Sequence, residues 1–398
     1  MHSLPMHLLF VTSLVPDGEP TTGYEIANAA IIDGLRKAGA RVTVLGFTWP
    51  GKKSSDPQNT IVLGEVDVRT DTAGMAQKLA WLSRAVVAGL TVSSVKLRVI
   101  PQSELRAAIA SVEPFDAYVL NGVALAGAFE HVFSDKPSIF VAHNVEHRSA
   151  RENSEAAEGT VQKVLFAREA KLLGGLEARL CSKADFVFTL AEDDGKTFGL
   201  PPERFAALPL VTRKAVAARP IPAIAHDLGL IGTWTWQPNR IGLEWFLRHV
   251  KPLLDPAVSI AVAGGTPGDL LNAWPGVDFV GKVPDATAFV ESCAVIPLVS
   301  RAGTGVQLKT IETFELGLPS VATSRSVRGI ASLPANCVVA DEPVAFAAAL
   351  NAMVARAKQG DRQRLDGTAF HASQVQKLDA AIRRGLDRLA SAKRKSAG

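Results

Sequence analysis

The chain has 398 residues, 47% hydrophobic and 21% charged, with a formal net charge of +4. That length suits two or three domains, and that balance describes an ordinary globular protein rather than a disordered, collagenous or disulfide-stapled one. The positive charge is local: Ile382–Gly398 carries Arg383, Arg384, Arg388, Lys393, Arg394 and Lys395 against Asp387, and no basic stripe with interleaved aromatics points to nucleic acid.

Read in order, MHSLPMHLLFVTSLVPDGEP lacks a basic start, so its apolar run His7–Thr12 is expected to be a first buried strand rather than a signal peptide. A polar loop, Ser13–Thr22, leads to a helix over Tyr24–Ala38 with Ile26, Ala30, Ile31 and Leu35 on one face; Gly39 closes it before a strand at Arg41–Gly46. That strand–helix–strand unit opens a Rossmann-like domain, although no Gly-x-Gly-x-x-Gly fingerprint supports a dinucleotide dehydrogenase. Thr60–Val68 is a candidate strand. Ala73–Ile100 reads as a mostly apolar helix with Lys78, Arg84, Lys96 and Arg98 interspersed. Phe115–Leu120 and Ser138–Ala142 are strands, and the second ends in His143-Asn-Val-Glu-His147-Arg148. A histidine at a strand's carboxyl end stands where ligand-handling groups collect, though such a residue also serves as a structural hydrogen-bonder. Thr160–Cys181 is a long helix whose charges read as a solvated face, followed by a strand at Ala184–Leu190 and a helix capped by Asp193 and Asp194.

Pro209–Ile224 repeats Pro and Ala without periodicity and reads as an interdomain connection. A second set of α/β signals follows. Leu228–Thr233 is a strand that runs into Trp234-Thr-Trp236-Gln-Pro238-Asn239-Arg240, then a helix over Ile241–His249; Ser259–Ala263 and Val277–Gly281 are further strands. Val295–Val299 is a short apolar run suited to a buried parallel strand. The turn Arg301–Gly305 leads to a helix over Val306–Leu316, stopped by Gly317 and Pro319 before a strand at Ser320–Thr323. Gly303 and Gly305 let the backbone approach a ligand, and the helix start offers free N–H groups and a positive dipole end. Lys309 and Glu312 share one side of that helix. They suit a nucleotide diphosphate, the lysine on phosphates and the acid on ribose hydroxyls; the alternative is a solvated helical ion pair. Helices over Pro343–Lys358 and Ser373–Ala390 end the chain.

The stretch from Val295 to Ile330 resembles the nucleotide-sugar segment of glycosyltransferase family 4 in the GT-B superfamily. Glu312 matches the family's second acid and Gly317-Leu-Pro319 its stop, whereas the first acid would stand at Thr304 and is missing. HNVE at His143 is similar to the acceptor-domain motif of that family, where the histidine lies beside the transferred sugar. The resemblance covers nearly the whole chain and implies two Rossmann-like domains facing each other across a cleft, with the last helix returning to the first domain. The boundaries it suggests are 1–212 for an acceptor-binding domain, 225–372 for a nucleotide-sugar-binding domain, and 373–398 for the returning helix and basic tail. On the donor it implies roles for Gly303, Thr304, Gly305, Val306, Lys309 and Glu312, with Arg240 and Thr233 after the first strand of the second domain and backbone groups of Lys282 and Val283 at the base. The family's Arg/Lys pair is absent: Thr233 and Pro238-Asn239 stand in its place. Arg240 is the nearest cation, either neutralising a diphosphate or an ordinary exposed first-turn residue. Gly23, Asn144, Glu146 and Arg148 are the implied acceptor contacts, and His143 with Glu312 the implied catalytic pair.

The expected function is transfer of a sugar, with retention, from a nucleotide-diphosphate sugar to a saccharide or lipid-linked acceptor in bacterial polysaccharide or glycoconjugate assembly. Two alternatives stay open: a nucleotide-sugar epimerase, whose site needs extra carboxylates, and a non-catalytic sugar- or nucleotide-binding protein. No Asp cluster has metal-ligand spacing, so neither metal nor cofactor is expected. Cys181, Cys293 and Cys337 are scattered and read as buried thiols in a reducing, cytoplasmic compartment. No run of 18 apolar residues is long enough to span a membrane. The basic tail and the Ala73–Ile100 helix are candidates for peripheral contact with an anionic inner leaflet.

Overall fold

A computed structural model describes residues 5–18, 23–70, 72–112, 114–157, 159–216, 222–271, 273–303 and 305–396. The chain divides into two compact units, Met1–Pro209 with Lys377–Gly398, and Leu210–Gln376.

The first unit alternates strands and helices: β1 (His7–Leu14), α1 (Gly23–Lys37), β2 (Arg41–Thr48), β3 (Thr60–Glu65), α2 (Met75–Ala88), α3 (Val92–Leu97), α4 (Gln102–Ala110), β4 (Ala117–Asn121), α5 (Val123–Ala128), β5 (Ser138–Ala142), α6 (Glu146–Ala156), α7 (Thr160–Lys183), β6 (Phe186–Thr189), α8 (Glu192–Thr197) and β7 (Phe205–Ala207). The strands form one parallel sheet in the order β3-β2-β1-β4-β5-β6-β7. β4, β5 and β6 are buried along their whole length, which is why AYVLN, SIFVA and FVFT lack the apolar–polar alternation of a half-exposed strand. The chain steps outward from β1 to β3, then returns to place β4 beside β1. At such a reversal the connections after the two strands diverge, leaving a crevice at their carboxyl ends.

Three expectations for this unit are corrected. The segment Ala73–Ile100 is two helices, not one: Gly89 takes a left-handed φ of 64° and ends α2, and the Thr91 side chain then caps α3. The charges of α7 are not simply a solvated face. Arg168 donates to the carbonyls of Ala85 (2.7 Å) and Leu90 (3.2 Å), and Glu169 accepts from the Val92 N–H (2.9 Å), so this pair satisfies backbone groups on both sides of the α2–α3 break. In α8, likewise, Asp193 and Asp194 lie inside the first turn and Ala191 is the cap.

The second unit contains β8 (His226–Ile231), α9 (Gln237–Trp245), β9 (Ile260–Ala263), α10 (Gly268–Leu271), β10 (Val277–Gly281), α11 (Ala286–Glu291), β11 (Cys293–Leu298), α12 (Leu308–Glu315), β12 (Ser320–Ala322), β13 (Cys337–Val339) and α13 (Pro343–Lys358). Its parallel sheet runs β10-β9-β8-β11-β12-β13, with the reversal between β8 and β11. Pro238 stands in the first turn of α9, and a Cβ on Gly242 would lie 2.2 Å from the Val299 carbonyl oxygen, so only glycine lets α9 lie against the end of β11.

The last helix, α14 (Thr368–Ser396), is longer than predicted at both ends. It starts in the second unit, where Phe370 meets Phe314 edge-on (5.4 Å between centroids), and from Lys377 it belongs to the first. There Asp379 pairs with Lys37 (2.8 Å), Arg384 donates to the Pro202 carbonyl (2.8 Å) and Lys393 pairs with Asp116 (2.5 Å). Part of the basic tail's charge is thus spent inside the protein. Cys181 and Cys293 are buried free thiols, pushed up to about 12 by burial and therefore unreactive near neutral pH. Among the described residues no helix is long and apolar enough to cross a membrane.

Candidate functional site

In the second unit most of the candidate residues follow β8 and β11, the two strands at the sheet reversal, whereas Lys282 and Val283 follow β10. Thr323 donates to the Ser300 carbonyl (2.6 Å) and Ser326 to the Leu298 carbonyl (2.6 Å), so the ends of β11 and β12 are pinned together. The turn that follows bends through Gly303, at a φ of 88°, and its carbonyl accepts from Arg325 (2.9 Å). Thr304 lies outside the described residues; Gly305 and Val306 lead into α12 half-buried. The cap position of α12, Gln307, makes no capping hydrogen bond and its amide donates instead to the Gly305 carbonyl (3.3 Å), so among the described residues no side-chain cap meets the leading N–H groups. Ile311 and Phe314 bury the inner face of the helix.

Lys309 projects from the first turn of α12. Its Nζ sits 3.2 Å from Asn239 Oδ1 and 5.5 Å from the centre of the Trp234 ring. Trp234 is buried and donates to the Ala263 carbonyl (2.8 Å), while the Asn239 amide N–H donates to the Thr233 carbonyl (3.1 Å), so both neighbours are fixed. Among the described residues no carboxylate pairs with Lys309. Burial lowers its pKa to about 8.

Lys309 and Glu312 do not form the helical ion pair weighed above. Glu312 Oε1 accepts from Arg213 (2.9 Å), whose Nη2 also donates to Thr287 (2.8 Å). Glu312 remains half-exposed, and its Oε2 makes no hydrogen bond among the described residues. Three residues further on, Glu315 is fully buried; it accepts from the Thr212 N–H (3.2 Å), from the Thr212 hydroxyl and from His371 Nδ1 (2.9 Å). Arg240 is engaged by Glu244 (2.7 Å) and Asp269 (2.5 Å). Thr233 and Lys282 are exposed and Val283 half-buried; Gly281, just before them, accepts from the Gly264 N–H (2.7 Å).

In the first unit the corresponding reversal lies between β1 and β4. His143, directly after β5, is buried there with its Nε2 2.8 Å from Asn121 Oδ1 at the end of β4. Burial lowers its pKa to about 4, so the ring is neutral at physiological pH. Asn144 donates to Glu146 (3.2 Å). Glu146 opens α6, and its N–H is held by the buried Glu177 of α7 (2.7 Å), which also bonds His147 Nδ1 (2.6 Å). A carboxylate at a helix N-terminus satisfies free N–H groups and complements the dipole. Arg148 is exposed and donates to Thr197 (3.2 Å). Gly23 is the exposed first residue of α1, while Thr21 and Thr22 lie outside the described residues. The sequence reading left Asn121, Tyr24, Arg213 and Glu315 without roles. For Asn121 a signal existed, since it ends an apolar strand as a lone polar residue. Among the described residues no group of His, Cys, Asp and Glu is arranged to hold a metal ion.

Residues 225–356 match the family described as Glycosyl transferases group 1. No curated protein matches the chain in sequence. Among solved structures, sucrose-phosphate synthase from Thermosynechococcus elongatus superposes with a TM-score of 0.63 at 13% identity, over 98% of this chain and 99% of that one. An Anabaena protein solved in complex with UDP and glucose gives 0.60 at 14% identity, over 96% and 99%. A glycosyltransferase involved in lipopolysaccharide biosynthesis gives 0.56 at 15% identity, over 96% and 99%. At such identities the likeness is one of fold, and that fold is GT-B.

Proposed function

We propose that the chain, supported as a glycosyltransferase enzyme by the family match and the fold, moves a sugar from a nucleotide-diphosphate donor to a saccharide or lipid-linked acceptor. The observation that carries the donor assignment is Lys309. A desolvated ammonium without a carboxylate partner is costly, and it stands at a sheet reversal beside a glycine turn and the start of a helix. A diphosphate would supply the missing counter-charge. Val306, Gly305 and Gly303 would give it backbone N–H groups, and Glu312, steadied by Arg213, would offer Oε2 to the ribose. Arg240 would help with phosphate only by leaving Glu244 and Asp269. His143 would hold a sugar hydroxyl near the reacting carbon, with retention and without a metal. Backbone groups of Lys282 and Val283 would meet the base, and Thr233, which stands where the family carries an arginine, would lie toward the phosphates. Gly23, Asn144, Glu146 and Arg148 would meet the acceptor.

The Anabaena neighbour was solved with UDP and glucose, so UDP-sugars head the panel to test. Thermal unfolding with UDP-, GDP- and ADP-sugars should show one base class raising the melting temperature, because a ligand bound only by the folded state stabilises it. If none of the three classes shifts it, the donor assignment fails. Interconversion of two nucleotide sugars would instead favour an epimerase.

Membrane contact is part of the proposal. Met75, Leu79, Val86 and Val87 of α2 and Val161 and Val164 of α7 are exposed; α2 carries Lys78 and Arg84 and no acid. Apolar side chains set among cations suit an anionic leaflet. Co-sedimentation with phosphatidylglycerol vesicles, and not with phosphatidylcholine vesicles, is the expected result; equal binding to both, or to neither, contradicts it.

A further inference from the structure

His143 sits at the end of a chain of buried hydrogen bonds whose direction is set at the far end. The Tyr24 hydroxyl donates to the Asn121 carbonyl (3.2 Å), so at its 2.9 Å contact with Thr12 Oγ1 it can only accept; the Thr12 proton is therefore given to the Tyr24 oxygen or to the Leu14 carbonyl (3.2 Å), neither of which has a proton to give back. The lone pairs of Thr12 Oγ1 then accept from the amide nitrogens of Asn28 (3.2 Å) and Asn121 (3.2 Å). With its NH2 turned to Thr12, Asn28 presents Oδ1, which accepts from Asn121 Nδ2 at 2.6 Å. The same Asn121 nitrogen lies 3.1 Å from the Tyr24 hydroxyl. Its NH2 group is thereby committed, and only Oδ1 is left to face the imidazole 2.8 Å away. An amide oxygen accepts, so the ring nitrogen opposite must carry the proton.

We infer that Asn121 is a positioning residue that holds His143 as the Nε2–H tautomer and leaves Nδ1 as the acceptor nitrogen for a ligand hydroxyl. The inference rests on the proposed transferase reading for its ligand, not for its geometry. A lone pair at Nδ1 selects a group that donates: a sugar hydroxyl satisfies it, whereas a deoxy position or an ether oxygen leaves it unpaired, a cost that gives strong discrimination in a buried site. Tyr24 is the titratable side chain packed against the ring, with centroids 4.7 Å apart, and burial disfavours the imidazolium that would donate from both nitrogens.

Long-range nitrogen–proton correlation spectra of the full-length protein with labelled histidines test this directly. The His143 signals are assigned by their loss in His143→Gln. Between pH 6 and 8 the native ring should show a protonated Nε2 and an unprotonated Nδ1, with no titration. A protonated Nδ1, an exchange average of the two tautomers, or titration near the ordinary histidine value overturns the inference. In Asn121→Asp the carboxylate favours the charged ring, and the His143 titration should move up by at least one pH unit; an unchanged titration contradicts a role for Asn121. The native spectrum needs neither a variant nor a substrate. An Nε2–H spectrum therefore supports the tautomer even if no nucleotide sugar is turned over, a result that would count against the transferase reading alone.

Discussion

Lys309→Met should weaken nucleotide-diphosphate binding ten- to a hundredfold while leaving the melting temperature unchanged or raised. A hydrogen bond to a charged group is worth about 1.5–3 kcal/mol, and that sets the loss in affinity. The stability side follows from desolvation. Burial holds the Lys309 pKa near 8, and its one direct hydrogen-bond partner among the described residues is the neutral Asn239. Replacing an uncompensated buried cation by an apolar chain of similar length removes that cost. The pH dependence has a definite sign. A bound diphosphate stabilises the ammonium, so the lysine's pKa is higher in the complex than in the free protein. Affinity should then be flat below pH 8 and should fall as pH rises above it, until the bound-state value is passed. Calorimetric titration from pH 6.5 to 9.5 measures this. A flat profile to pH 9.5, or a variant that binds as tightly as the native protein, assigns the phosphates elsewhere.

Glu315→Leu should destabilise the second unit by about 3 kcal/mol, whereas Glu312→Gln should change stability by less than about 1 kcal/mol. The two acids are three residues apart on α12 and look alike in sequence. Glu315 is fully buried and gathers the Thr212 N–H, the Thr212 hydroxyl and the His371 ring. These partners come from the segment before β8 and from the first turn of α14, so one carboxylate fixes both ends of the second unit to α12. Removing it strands buried donors. Glu312 is half-exposed and bonded by Arg213 through one oxygen, so its loss should appear in donor affinity instead. Urea unfolding midpoints and donor titrations of the two variants separate these roles. Equal loss of stability in both contradicts the division.

Much of this architecture was legible from local pattern. The apolar runs at Val295–Val299 and Ser138–Ala142 suit buried parallel strands and lie in or at the end of β11 and β5, and glycines precede α12 while a glycine and a proline follow it. α13 spans Pro343–Lys358, the predicted bounds, because an apolar stretch begins at a proline and closes on basic residues. What escaped notice depended on partners far apart in the chain. Glu315 meets Thr212 103 positions away, and Asn121 meets Asn28 93 positions away. No local rule separates a buried acid in an amphipathic helix from a solvated one until the third dimension supplies its donors. The break at Gly89 was missed for a different reason: one glycine in an apolar helix is usually tolerated, and only the caps offered by Thr91 and Arg168 favour a stop there. The tail's charge was read as free because Asp116, which binds Lys393, lies 277 positions away.

The central claim is that the second unit grips a nucleotide diphosphate between the glycine turn after β11 and the loop after β8. Hydrogen–deuterium exchange with saturating UDP, GDP and ADP tests it most directly. At least one nucleotide should slow exchange in peptides covering 299–313, 232–240 and 281–285, with no comparable protection elsewhere in the second unit. Protection confined to other segments, or none with any of the three, would contradict the account.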